Sequence, residues 1–426
     1  MAKIVSIKAH QILDSRGNPT IETKVTLDNG ITARDSVPSG ASRGSLEALE
    51  LRDNDPKVYM GQGVLTAVKM VNESISEKIL GLDPLNQFEI DKAMIQLDAT
   101  PNKSKLGANS MLSVSMAIAR ASSMLQNIPL YQYIQSLSHK LAIPQGSRKI
   151  PIPLFNVING GKHGAGNLNF QEFFIIPASN KPYKDGLRLG SEIYHRVKEI
   201  LEYRNAVHSV GDEGGFAPNL STNIDALEAL KEAIRTSTYK LGVDIFLGLD
   251  IAATSFFIRG NYHIIDRAQP YQPSEFVEYL SNLQKEYNLL VLEDPFQEEE
   301  WYSWIEFTSR FGDQVYIVGD DLLVTNMSRL KLAVEKKACN SILVKLNQIG
   351  TITETLEVIK EARMAGFKIV VSHRSGETTD AFAADFAVGV TADYVKFGAP
   401  ARGERVVKYN RILEIDEEMN GSQKPS

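Results

Sequence analysis

The chain has 426 residues, with 46 Lys plus Arg against 52 Asp plus Glu, a formal charge of −6, so a partner held chiefly by positive charge, nucleic acid above all, is not expected. A hydrophobic fraction of 43% beside 23% charged residues is ordinary globular composition, and the length suits two or three domains, or one small domain beside a barrel. The single cysteine, Cys339, excludes an internal disulfide. With no secretory signal pattern at the N-terminus, this reads as a cytoplasmic protein. The longest uncharged stretch, residues 121–138, is broken by Pro129 and too polar for a membrane span, so no membrane segment is expected.

In chain order, residues 1–142 mix β-rich runs such as Thr20 to Leu27 with helical spacing over Val64 to Leu80 and Asn109 to Gln126. They read as a small α+β domain. The Pro/Gly-containing segment from Ile143 to Lys149 marks a boundary before a buried strand near Ile152 to Ile158. From about residue 240 one pattern recurs: an apolar strand, a charged or polar residue at its C-terminal end, a turn, and a helix. The strand ends are Asp250, Glu293, Asp320, Lys345, His373 and Lys396, spaced 43, 27, 25, 28 and 23 residues apart. Helices are predicted over Ser274 to Tyr287, Asn326 to Lys337 and Thr351 to Ala365, the last capped by Gly366. Near-continuous apolar strands in successive βα units predict a closed α/β barrel over residues 143–426, with its chemistry at the strands' C-terminal ends. Glu172 and Glu213 are earlier candidates for the same rim.

Three carboxylates, Asp250, Glu293 and Asp320, end three successive strands, where like charges repel unless a cation lies between them. All-oxygen ligation favours Mg²⁺ over Zn²⁺, although any one of these acids would equally serve as a helix cap or an ion-pair partner. Lys345 and Lys396 read either as neutralisers of a phosphate or carboxylate or, for Lys345, as a base. Burial, a second ammonium and a nearby cation all disfavour a charged lysine. His373, Arg374 and Ser375 with Gly376 offer a guanidinium fork, a hydroxyl and open backbone N–H groups to a phosphate monoester. The loops Pro38 to Gly44 and Asn159 to His163 are surface turns by themselves, and become lids only over a barrel mouth.

In series these segments resemble the enolase family: Asp14-Ser-Arg-Gly-Asn-Pro-Thr20, Ser36-Val-Pro-Ser-Gly-Ala-Ser42, Asn156-Val-Ile-Asn-Gly-Gly161, Gln171-Glu-Phe173, Val210-Gly-Asp-Glu-Gly-Gly-Phe-Ala-Pro218, Leu292-Glu-Asp-Pro295, Val318-Gly-Asp-Asp-Leu322, Asn347-Gln-Ile-Gly-Thr351, Ser372-His-Arg-Ser-Gly-Glu-Thr378 and Lys408-Tyr-Asn410. The resemblance implies an α+β cap on an atypical (β/α)₈ barrel and a hydro-lyase that interconverts 2-phosphoglycerate and phosphoenolpyruvate in glycolysis and gluconeogenesis. It implies Lys345 as base toward C2, and Glu213 as acid toward the C3 hydroxyl, supported by Glu172 with His163 and His373 nearby. It further implies substrate contacts from Gln171, Arg374, Ser375 and Lys396, and two Mg²⁺ ions, one on Asp250, Glu293 and Asp320 and a second completed by Ser42 when substrate is bound. A homodimer or larger homo-oligomer is implied, with Arg16, Glu22 and Glu404 at the contact, and a secondary cell-surface or secreted pool besides the cytoplasmic one.

Departures from the family pattern fall at Arg43, at Ile251, Thr254 and Ser255 within Asp250-Ile-Ala-Ala-Thr-Ser255, at Thr379 and at Gly403. They bear on rate and metal affinity. Two rival readings are an acid-sugar dehydratase or cycloisomerase, against which the Arg374–Ser375 pair argues, and a binding role on cell surfaces or in RNA-processing assemblies.

Overall fold

The computed structural model describes residues 2–40, 46–164 and 167–421. Ser42 and Arg43 lie outside the described residues. The chain opens with a meander of β1 (Ile4–Leu13), β2 (Pro19–Leu27) and β3 (Thr32–Ser36), all antiparallel. The β1–β2 turn is set by Asp14, whose Oδ1 accepts the backbone N–H groups of Arg16 and Asn18, both at 2.9 Å. Strand alternation sends Ile21, Val25 and Leu27 inward. They face the helix Ala108–Gln126, whose small Ala and Ser side chains let it lie close, with the hydroxyls of Thr23 and Ser113 2.7 Å apart. The span predicted as one helix from Val64 is helical over Leu65–Met70 and Ser76–Ile79, with a π turn at Val71–Ile75 between them.

The second part is a closed barrel of β4 (Ile152–Asn159), β5 (Glu172–Pro177), β6 (Ile245–Asp250), β7 (Val291–Glu293), β8 (Tyr316–Gly319), β9 (Ser341–Val344), β10 (Lys368–Ser372) and β11 (Tyr394–Lys396). All neighbours run parallel except β5, which is antiparallel to both β4 and β6. The predicted helices appear as Pro273–Tyr287, Met327–Lys336 and Ile352–Met364. Inside the lower barrel Leu154, Phe174, Ile176, Val291, Val318, Leu343, Val370 and Tyr394 form one apolar cluster.

The two parts are joined by directional contacts. Ser39 and Gly376 exchange backbone hydrogen bonds of 2.7 and 2.8 Å, and a Cβ at 376 would lie 2.2 Å from Oδ2 of Asp14. Only glycine permits that approach. The hydroxyls of Ser36 and Thr378 are 2.7 Å apart, and Arg120, held by Asp35 within the N-terminal part, donates across to Asp380 at 3.3 Å. Buried Asp91 accepts both the N–H and the hydroxyl of Thr353, at 3.0 and 2.6 Å. Burial outweighs these bonds and pushes its carboxyl up to about 6.

Candidate active site

Register places the acids. Glu172 stands opposite Asp250, and Asp250 opposite Glu293, so three carboxylates from β5, β6 and β7 share one row at the barrel mouth. Glu172 reaches the mouth from the start of its strand because β5 runs the other way. Asp320, Lys345 and His373 each follow the last residue of a parallel strand, and Lys396 ends β11. Glu213 stands on the loop between helices Tyr183–Tyr203 and Asn223–Arg235. A cavity of about 450 Å³ is walled by the described residues expected to bind substrate, metal or proton, except Glu293, which is buried against Lys396.

On one wall four ionisable groups lie within ion-pair distance of one another in a chain. Nδ1 of His163 lies 3.2 Å from Oε1 of Glu172 and 3.4 Å from Oε2 of Glu213, and Oε2 of Glu213 lies 3.4 Å from Nε2 of His373. The Asn156 amide donates to the same Glu213 oxygen at 3.2 Å. Burial opposes charge on His163, but Glu213 and then Glu172 outweigh it and raise the ring to about 10. Burial and Glu213 push Glu172 up to about 7. Glu213 itself is buried, yet the histidines beside it hold it well below the usual carboxylate range. Since burial pushes His373 down to about 3, the cation that keeps Glu213 ionised is His163.

At the centre, Nζ of Lys396 is 2.9 Å from Oδ2 of Asp250 and 2.9 Å from both Glu293 oxygens, and the Gln171 amide donates to Asp250 at 3.2 Å. On the far wall Lys345 pairs with Asp320, which also accepts from the Gln348 amide at 2.9 Å. Arg374 pairs with Glu47 at 3.0 Å and donates to Asn347 at 3.1 Å. Lys345, the base expected from the sequence, lies between opposing influences. Burial, Arg374 and Lys396 do push its amine down, but Asp320 outweighs them and holds it above the ordinary lysine value.

The donors suit a hard cation. They are carboxylate oxygens, and Oδ1 of Asp250 and Oε2 of Glu172 are buried with no hydrogen-bond partner among the described residues. Among the described residues, however, the sets whose ligand atoms lie within 4.8 Å of one another are His163–Glu172–Glu213 and Asp294–Asp320–Asp321. Asp250 and Glu293 converge on Lys396 instead. Asp294 was not singled out from the sequence. It accepts the N–H groups of Asp320 and Asp321 at 2.9 and 2.7 Å, and burial followed by those two acids pushes it well above the usual range.

Residues 4–134 match the enolase N-terminal domain model, and residues 147–424 match the enolase C-terminal TIM barrel domain model. The chain belongs to the enolase family. This family is metal-dependent, in keeping with the acidic groups at the mouth. Of the family departures, Thr254 and Ser255 line the cavity, and the Thr254 hydroxyl accepts the N–H of Glu298 at 3.2 Å. Thr379 is exposed, and Gly403 opens the helix Gly403–Gly421 with open space around it. Glu22 lies within ion-pair distance of Arg34 and His10, and Glu404 of Arg402 and Arg405, so both have partners within the chain.

Proposed function

We propose that this enolase-family chain catalyses the reversible dehydration of 2-phosphoglycerate to phosphoenolpyruvate. The observation that carries this reading is the opposition of chemistry across one cavity. Lys345 and the Arg374 guanidinium stand on one wall and the His163–Glu172–Glu213 set on the other, with Lys396 between them.

In this scheme Arg374 and Ser375 hold the phosphate, and Lys396 and Gln171 orient the carboxylate. Lys345 takes the C2 proton, and Glu213 delivers a proton to the departing C3 hydroxyl. The delivered proton belongs to the Glu213, Glu172 and His163 set as a unit, because Glu213 alone is ionised. His373 faces Glu213 from the other side. Mg²⁺ on Asp250, Glu293 and Asp320, with a second ion completed by Ser42, would neutralise charge that develops on the substrate carboxylate. Its binding to Asp320 would also withdraw the carboxylate that holds Lys345 charged. The reading includes a homodimer in the cytoplasm; among the described residues no helix is long and apolar enough to cross a membrane.

The division of labour is tested by exchange of the C2 proton with solvent deuterium. Lys345→Ala should abolish exchange, while Glu213→Gln should keep it and lose product. Exchange retained in Lys345→Ala would remove the lysine from its role.

A further inference from the structure

Arg405 is fully buried in the helix Gly403–Gly421, and the scheme above gives it no part. A buried guanidinium would ordinarily be expected to face a carboxylate. Here, among the described residues, only Glu404 approaches, 3.4 Å from Nε, and the fork is spent elsewhere. Nη1 lies 2.7 Å from Nδ1 of His373 and donates to the carbonyl of Arg374 at 2.6 Å. Nη2 donates to the carbonyls of Ser375 at 2.6 Å and Asp212 at 3.0 Å. One side chain thus ties the loop that carries Arg374 and Ser375 to the loop that carries Glu213.

The contact with His373 decides a tautomer. Guanidinium has five donors and no acceptor, so Nδ1 must be the accepting nitrogen and the ring proton must sit on Nε2. Nε2 is the atom that faces Glu213. We infer that Arg405 is a positioning residue that locks His373 in its neutral Nε2–H form, so that the ring always presents a donor to Glu213.

Three observations agree with this. The charged groups facing the ring are Glu213, Lys396 and Arg405, with Glu404 behind Arg405; burial and the two cations oppose a second ring proton and outweigh Glu213. The packing leaves no slack, since a Cβ at Gly398 would lie 3.0 Å from Cε1 of His373 and 3.1 Å from Cδ of Arg405. His163 supplies the cationic partner of Glu213, so a neutral donor on the opposite side leaves one mobile proton in the set rather than two. The tautomer stands on geometry alone, whereas its catalytic consequence rests on the reading of Glu213 as the acid.

The test is two-bond ¹H–¹⁵N correlation on the full-length protein labelled at histidine nitrogens, with the His373 signals assigned by their loss in His373→Gln. The wild type should show a single tautomer, protonated at Nε2 and bare at Nδ1, unchanged between about pH 5 and 9. Arg405→Met should remove the donor that faces Nδ1, so that the second tautomer appears and the ring becomes easier to protonate. It should also lower kcat by about 10- to 100-fold, the usual cost of losing a ring-orienting partner. Arg405→Lys keeps one donor and should restore the tautomer but only part of the rate. A wild-type ring protonated at Nδ1, or titrating near its ordinary value of about 6.5, overturns the inference even if no variant folds. An unchanged tautomer in folded Arg405→Met overturns it as well. If the tautomer is as stated but 2-phosphoglycerate is not turned over, the assigned reaction fails while the inference survives.

Discussion

Below the mouth the barrel interior is an apolar plug of Leu154, Phe174, Ile176, Val291, Val318, Leu343 and Val370. A few residues along, the same barrel encloses Glu172, Asp250, Glu293 and Lys396, equally buried but ionisable, with Lys345 half-buried beside them. Lys396 spans the boundary, its Nζ 5.3 Å from the Phe174 ring centroid. The plug has no unmet polar demand and stabilises the fold. At the mouth, burial and mutual repulsion push Glu172, Glu293 and Asp294 above the usual carboxylate range. It therefore costs stability and holds potential for chemistry.

Substitution at each end should separate these roles. Lys345→Ala should lower kcat for phosphoenolpyruvate formation by at least about 10²–10⁴, the range for loss of a positioned base, without lowering Tm as a core truncation would. Leu343→Ala, in the plug, should cost about 2–5 kcal/mol in denaturant unfolding and leave kcat of the folded enzyme within about twofold. If the core variant loses activity at full stability, or the mouth variant unfolds with activity intact, the division between the ends is wrong.

A smaller effect is expected at Asp91, at the joint between the N-terminal part and the barrel. Its folded carboxyl is raised to about 6 from 3.8, so the native state binds its proton more tightly than the unfolded chain. The stability it contributes is fully present below about pH 4 and is lost as pH rises through about 6. The span is about 2 to 3 kcal/mol at 1.36 kcal/mol per unit. Asp91→Asn should flatten the unfolding free energy between pH 4 and 6, and an unchanged slope would show that another group carries it.

The barrel rim was legible because each parallel strand is a short apolar run stopped by one ionisable residue, as at Asp250, Glu293 and Lys396. Glu172 was legible only as a nearby acid: nothing in its sequence says that β5 runs backward and offers its first residue to the mouth. Asp294 and Asp321 were hidden by their neighbours, since strand alternation points them away from Glu293 and Asp320. The chain instead turns at Asp294, with φ of +41°, and folds its carboxylate under the Asp320 backbone. Arg405 was not singled out from the sequence: it lies in a helix rich in polar residues, and its burial depends on loops more than 25 residues away. The charge state of Lys345 depends on its pairing with Asp320, which spacing alone does not reveal.

The most direct measurement follows the enol-ester absorbance of phosphoenolpyruvate as purified protein meets 2-phosphoglycerate, with Mg²⁺ and again with excess EDTA. That band should grow with Mg²⁺ and not with EDTA. A folded protein that gives no signal across a wide range of Mg²⁺, or one that gives the same signal in EDTA, would contradict the proposed reaction.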